Sequence, residues 1–577
     1  MKEPVVARFR ASLIFSFLFL LLAALAGRLF WIQVVQHDHY ASLSRGQHLV
    51  REVSRAPRGS ILDRAGRPLA ARRRLPSVAV DPKFLADPEA AAAALSAALG
   101  VDREALLARI RKGSRFAWVR RAVDDPAAVE AVKGMDLALR EERSGRMAKA
   151  GEPVLILEED VRFHPLGPLA SQVLGSVNID GVGMEGLERT LDARLRGTDG
   201  RSAVLVDAHR QPILVPGMEG TPAVPGEDLR LTLDAVIQGF AEDELRRTFE
   251  KHSPRGAVCV VLDAETGDVL ALASAPTFDP GAPGAATPEG RRARFATDMF
   301  EPGSTFKPLV AAAAMDCGAI GPEERIDCGE GWIRIGRRTI HEHEPRGYGT
   351  IPVEKVLAVS SNCGMARIGV KMGIPRMQAA LGAFGFGRPT SLGFPGESAG
   401  RITAPKAWTE SYTLVSVSFG QEICVTPLQL AAAYLPVARD GTKPPLRLVD
   451  DPSLPRGEPV RVLRPETARR VRAMLETVVT EGTARAVKKT GYRVAGKTGT
   501  AQKMKAGETS GYVSSFVGMA PAGDPRLVCL VLLDEPSKKG GTPYGSTVAA
   551  PYCTEVLRKS LRYLGVRPDE ETDGRRP

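Results

Sequence analysis

Two side chains one helical turn apart open the chemical reading: Ser304 and Lys307, in the run Glu301-Pro302-Gly303-Ser304-Thr305-Phe306-Lys307-Pro308. Pro302-Gly303 ends one segment and an apolar run follows, so Ser304 is predicted at a helix N-terminus. Unpaired N–H groups and the helix dipole favour developing negative charge there, which suits a serine attacking as an alkoxide-like nucleophile. A spacing of three puts Lys307 on the same face, within reach of the Ser304 oxygen. A lysine acts as base only if burial or a neighbouring positive charge lowers its pKa. Alone, the pair reads better as an ordinary capping serine beside a surface lysine.

Two clusters further along change that balance. Ser360-Ser361-Asn362 follows a helical stretch, and Lys497-Thr498-Gly499-Thr500 ends a β-like run, Tyr492 to Ala495. Each has a plain reading of its own, a helix-ending turn and a strand end with small residues. Read together with Ser304, they match the known S-x-x-K, S-x-N, K-T-G pattern, and that match implies the remaining parts of an acyl-transfer site. Ser360 would relay a proton to a leaving amine, and the Asn362 amide would fix Lys307 and a substrate peptide beside Ser361. Gly499 would let a substrate backbone approach an edge strand closely. Lys497 and Thr498 would hold a carboxylate, and the N–H groups of Ser304 and Thr500 would form an oxyanion hole.

The ordered set S-x-x-K, S-x-N and K-T-G is the signature shared by penicillin-binding proteins and class A β-lactamases. The stretches ATDMFEPGSTFKPLV (296–310), VLAVSSNCGM (356–365), SFGQEICVTPLQLAAAY (418–434), VAGKTGTAQ (494–502) and SFVGMAP (515–521) narrow this further. They resemble class B penicillin-binding proteins, the peptidoglycan D,D-transpeptidases of the FtsI and SpoVD division and sporulation type. RGSILDRAGRPLA (58–70) and GVGMEGLERTLDARLRG (181–197) are similar to the family's pedestal motifs. The resemblance implies catalytic Ser304, Lys307, Ser360, Asn362 and Lys497, and substrate-binding Ser361, Thr498, Gly499 and Thr500, with no cofactor. It also implies stem peptides and lipid-linked precursor strands as substrates, β-lactams as ligands, and a SEDS-family glycosyltransferase and other divisome membrane proteins as partners. Asn362 in the third position favours the division-type branch. His341-Glu342-His343 stands where the family has an Asp-containing turn. As a metal pair those histidines lack a third ligand at readable spacing, so they read as a solvated strand or loop.

The elements that must position these residues are legible as pattern. Gly256 to Ala275 is two apolar runs around Glu265-Thr266-Gly267-Asp268, a hairpin. Strands are predicted over 228–234, 513–520 and 526–534, and helices over 235–251, 308–315, 354–360, 427–439 and 465–480. Strands at both ends with helices between predict an α+β fold, a sheet under a helical layer. Upstream, 87–100 is an Ala-rich helix with Asp87 as N-cap, Pro88 at N1 and Gly100 as stop. Residues 11–27 carry no charge and Leu29-Phe30-Trp31-Ile32 extend the run, enough for one membrane span. Lys2, Arg8 and Arg10 precede it, placing the N-terminus in the cytoplasm and the rest outside the bacterial inner membrane. Ala24-Leu25-Ala26 also resembles a signal-peptide cleavage site; the length of the run favours an uncleaved anchor. The expected layout is a cytoplasmic tail (1–10), anchor (11–34), pedestal (43–226), transpeptidase domain (228–566) and disordered tail (567–577).

Composition sets the outer limits. The chain of 577 residues is 44% hydrophobic and 25% charged, ordinary for globular proteins. Its net charge of +11 comes with scattered arginines and only 6% aromatics, so nucleic acid is not an expected partner. Seven cysteines without a C-x-x-C pair indicate neither a disulfide framework nor a zinc site, although Cys317 and Cys328 are close enough in sequence to pair. Two alternatives share the motifs: a β-lactam-hydrolysing or sensing protein, and an anchored divisome scaffold.

Overall fold

The computed structural model describes residues 3–41, 49–112, 115–143, 146–149, 151–206, 212–213, 220–390, 392–485, 487, 491–505, 508–537 and 543–569. The chain divides into two compact units, Met1–Arg58 with Arg196–Gly226, and Gly59–Leu195 with Glu227–Pro577. In the first, a helix spans Glu3–Phe30 and continues as one π turn, Trp31–Val35. Among the described residues it is the one helix long and apolar enough to cross a membrane. It begins inside the stretch expected as a tail, because Pro4 in the first turn needs no N–H partner and no breaker follows. Lys2 lies outside the described residues. The strand Leu49–Ser54 pairs antiparallel with Gly200–Val206.

In the second unit, the long strand Pro68–Val80 pairs with Val154–Phe163 and Ala117–Arg120. Three helices, Pro88–Leu99, Arg103–Arg111 and Pro126–Lys133, pack Leu95, Leu106 and Val129 with Val78 and Val80 in a core of their own. Each starts at an aspartate, Asp87, Asp102 or Asp125, whose side chain accepts first-turn N–H bonds. The first ends at Gly100 with φ 62°, the left-handed conformation that glycine adopts without a Cβ penalty.

The C-terminal half is built on a five-stranded sheet of β1 (Gly256–Asp263), β2 (Val269–Ala275), β3 (Ala495–Lys505), β4 (Glu508–Ala520) and β5 (Leu527–Asp534), in the order β2-β1-β5-β4-β3. All eight residues of β1 are buried, which requires cover on both faces. Helices α1 (Ala235–His252) and α6 (Ala550–Tyr563) pack on each other and on the sheet, and Pro427–Ala433 packs on β1 and β5. Between β2 and β3 the chain forms the helical layer that holds the candidate site residues: α2 (Lys307–Asp316), α3 (Val353–Ala358), α4 (Asn362–Met372) and α5 (Pro465–Thr480). β3 is an edge strand.

Several expectations are corrected in detail. The strand at 228–234 is only Leu229–Arg230, paired with Ile61–Leu62, because the backbone then changes partners: Leu231 N still bonds Leu62 O, but Thr232 N bonds Leu448 O. The helix at 427–439 breaks at Tyr434 into Pro427–Ala433 and Leu435–Ala438; Pro436 cannot donate to the preceding turn and its ring crowds it. Cys317 and Cys328 do not pair. Cys317 is an exposed thiol next to α2, and Cys328 is a buried one whose Sγ meets Ile326 O. The expected disordered tail lies outside the described residues from 570 on; just before it, Asp569 accepts the Arg493 N–H at 2.8 Å.

Candidate active site

Ser304 sits in a 3₁₀ turn, Gly303–Phe306, that runs into α2 at Lys307. In a 3₁₀ turn residues i and i+3 eclipse, so Ser304 and Lys307 project to one side more closely than the expected α-helical start would bring them. Two glycines hold the turn. Gly303 N donates to Gly420 O at 2.9 Å, and a Cβ on Gly420 would lie 2.2 Å from Gly303 O. On the sheet side, a Cβ on Gly499 would meet Ser515 Oγ at 2.6 Å, Thr305 Cγ2 at 2.9 Å and Pro302 O at 3.2 Å. Gly499 was expected to make room for substrate; the space it leaves is filled by the protein's own Ser304 turn. Tyr434, fully buried, donates to Thr305 O from beneath at 2.5 Å.

Lys307 is 1% exposed. Its Nζ donates to Ser360 O at 2.6 Å, Asn362 Oδ1 at 2.7 Å and Ser360 Oγ at 3.2 Å. These three acceptors match the three N–H groups of an ammonium, and a bond to Ser304 Oγ is not among them. Ser360 holds φ 61°, a left-handed conformation that costs a non-glycine residue about 1–3 kcal/mol; it lets both its carbonyl and its hydroxyl face the lysine. Ser361 caps α4, its Oγ accepting from Gly364 N at 2.8 Å.

The SSN turn has an anchor that the motif reading missed. The Glu342 carboxylate accepts from Asn362 N at 2.9 Å, Cys363 N at 3.1 Å and the Ser361 hydroxyl. Glu342 itself is fixed by its N–H to Gly331 O at 2.9 Å. The loop expected to be merely solvated therefore caps α4 with a charge, where the helix dipole favours one. Its neighbour His343 meets Tyr544 edge-on, ring centroids 5.9 Å apart. Tyr544 precedes Gly545, whose N–H donates to Thr500 Oγ1 at 3.0 Å.

Lys497 to Thr500 lie on β3, paired with Val517 to Ser514 of β4. Lys497 is fully buried, its Nζ donating to Thr498 O at 3.3 Å. Thr498 Oγ1 lies 3.0 Å from Thr483 Oγ1. The fold thus gathers residues from 304, 342, 360 and 497 around one turn, with Gly420, Glu342 and Thr483 as supports whose roles no local spacing gave.

Comparisons with known proteins bear on the family and the fold. Residues 257–558 match the penicillin binding protein transpeptidase domain, and 53–231 match the penicillin-binding protein dimerisation domain. The chain is 34% identical to the probable peptidoglycan D,D-transpeptidase PbpC of Pseudomonas aeruginosa, over 98% of this chain and 97% of that one. It is 31% identical to the peptidoglycan D,D-transpeptidase FtsI of Escherichia coli, over 98% and 93%. The penicillin binding protein 3 of Mycobacterium tuberculosis, solved with aztreonam, superposes with a TM-score of 0.66 at 28% identity, covering 90% of this chain and 98% of that one. The chain belongs to the penicillin-binding protein transpeptidase family.

The electrostatics of this penicillin-binding protein follow from burial. Loss of water pushes Lys307 down to about 7, against the opposing pull of the Glu342 carboxylate. Burial, and then the positive charge of Lys307, hold Lys497 well below the usual lysine value. Near neutral pH Lys307 therefore exchanges its proton readily. A neutral amine has two N–H groups and one lone pair, so deprotonation releases one of the three bonds, the longest being to Ser360 Oγ.

Proposed function

We propose that this chain is a peptidoglycan D,D-transpeptidase that cross-links stem peptides during septal wall synthesis through an acyl-enzyme on Ser304. The observation that carries the reading is Lys307, buried and held by Ser360 and Asn362, where loss of water pushes it down to about 7. Neutral Lys307 takes the Ser304 hydroxyl proton as Oγ attacks the penultimate D-Ala carbonyl. The new C–O bond leaves a tetrahedral oxyanion, which accepts from the N–H groups of Ser304 and Thr500. The C–N bond to the terminal D-Ala then breaks, and the proton passes from Lys307 through Ser360 Oγ to the leaving amine. An amine from a neighbouring stem reverses the sequence, forms the cross-link and restores the Ser304 hydroxyl.

Lys497 and Thr498 hold the terminal carboxylate, whose arrival favours the charged form of Lys497. Asn362 and Ser361 align the peptide. β-Lactams acylate Ser304 as substrate mimics, a reading supported by the aztreonam complex of the mycobacterial relative. The apolar N-terminal helix anchors the chain with Arg8 and Arg10 on the cytoplasmic side and the catalytic half outside. Residues 43–226 form a pedestal domain and residues 228–566 a transpeptidase domain, and a SEDS-family glycosyltransferase and other divisome proteins are the partners this layout serves.

The test is mass spectrometry after labelled penicillin. A long-lived adduct on the peptide carrying Ser304, absent in Ser304→Ala, is the expected result. Rapid turnover of a chromogenic cephalosporin would point to a hydrolase instead. Rescue of a depletion strain by Ser304→Ala would point to a scaffold.

A further inference from the structure

The turn after α5 makes two contacts that no motif accounts for. Glu481 N and Gly482 N both bond Thr477 O, at 2.9 and 3.1 Å, and Ala484 N bonds Val478 O at 3.2 Å, closing the helix. Thr483 N then donates to Ala358 O at 3.1 Å, at the end of α3 just before the SSN turn. The approach needs a glycine: a Cβ on Gly482 would lie 2.5 Å from Ala358 O. The Thr483 hydroxyl is 3.0 Å from that of Thr498 on β3. One short turn is therefore tied by its backbone to the SSN side of the site and by its side chain to the KTG side.

The two residues differ in exposure. Thr498 is 7% exposed, whereas Thr483 faces solvent. Between them they carry two O–H protons, and their mutual bond uses one. Whichever hydroxyl donates, one O–H of the pair stays free, and it is polarised by the bond behind it. A carboxylate arriving at β3 would receive that free O–H. Without Thr483, the Thr498 hydroxyl has no described side-chain partner to set its rotation.

We propose that Thr483 is a positioning residue for carboxylate recognition, orienting and polarising the Thr498 hydroxyl so that the pair binds the substrate carboxylate as a unit. The inference rests on the reading of Thr498 as a carboxylate-binding residue. Its test compares acylation of Ser304 by benzylpenicillin, which carries a free carboxylate, with acylation by benzylpenicillin methyl ester, in the full chain. Thr483→Val is expected to lower the second-order acylation rate for the acid about tenfold, the size of one hydrogen bond to a charged group, and for the ester less than about twofold. Thr483→Ser should restore the acid rate. The inference is overturned if Thr483→Val leaves the acid-to-ester ratio unchanged while Thr498→Val collapses it. If Thr498→Val also leaves the ratio unchanged, the carboxylate reading itself fails and the inference falls with it. An unchanged melting temperature for Thr483→Val, expected of an exposed threonine, separates the effect from misfolding.

Discussion

Replacing Glu342 by Gln sets two effects against each other, and the structure says which should win. The carboxylate raises the Lys307 pKa against burial, so removing its charge lowers that pKa further below about 7. With about half of Lys307 already neutral at pH 7, the extra neutral fraction raises the rate at most about twofold. The opposing effect is positional. Glu342 accepts from Asn362 N, Cys363 N and the Ser361 hydroxyl, and charge-assisted bonds of this kind contribute about 1.5–3 kcal/mol each. A glutamine has one acceptor oxygen and an NH2 that repels N–H donors. Asn362 then loses its fixed place against Lys307 Nζ, and misplacement by about 1 Å can cost about a hundredfold in rate. The expected outcome is a fall of about 10- to 100-fold in acylation of Ser304 by fluorescent penicillin, read by stopped flow. The acid limb of the pH–rate profile should move to lower pH. A limb that moves to higher pH, or an unchanged rate at pH 7, would refute the reasoning, because the sign of the charge effect and the capping role would then be wrong.

Two further outcomes follow from the same geometry. Gly499→Ala puts a Cβ 2.9 Å from Thr305 Cγ2 and 2.6 Å from Ser515 Oγ, so the Ser304 turn should shift and penicillin acylation fall by about a hundredfold, with little change in circular dichroism; near-normal acylation would contradict the packing. The buried Lys307 binds its proton less tightly folded than unfolded, pKa about 7 against 10.5, an upper bound of about 5 kcal/mol lost when both states are protonated. That cost is full below pH 7 and disappears as pH rises to 10.5, so denaturant titrations should show wild type gaining stability relative to Lys307→Met across that window, and a constant difference would exclude a perturbed Lys307.

Much of the site was legible because its parts are local in the chain. Ser304 and Lys307 are one turn apart, and Ser360-Ser361-Asn362 and Lys497 to Thr500 are contiguous, so their residue types and order could be read without knowing the fold. Asp87, Pro88 and Gly100 signalled their helix for the same reason: a cap bonds the backbone two or three residues away. The alternating and continuous apolar runs around Glu265 to Asp268 named the hairpin that becomes β1 and β2.

What only the tertiary structure decided are contacts between segments, whose partners have no fixed spacing. Glu342 looked like part of a solvated loop until the fold brought it to the N-terminus of α4, where its charge satisfies N–H groups that no nearby residue caps. Gly499 was assigned to substrate approach, yet its missing Cβ is filled by Thr305 and Pro302, a neighbour almost two hundred residues earlier in the chain. Lys307 could be named as a base from its spacing, but its pKa of about 7 depends on burial, and burial belongs to the packed molecule. Sequence alone named the groups proposed to do the chemistry. Folding decided their protonation and their partners, because desolvation and hydrogen-bond geometry exist only once distant segments meet.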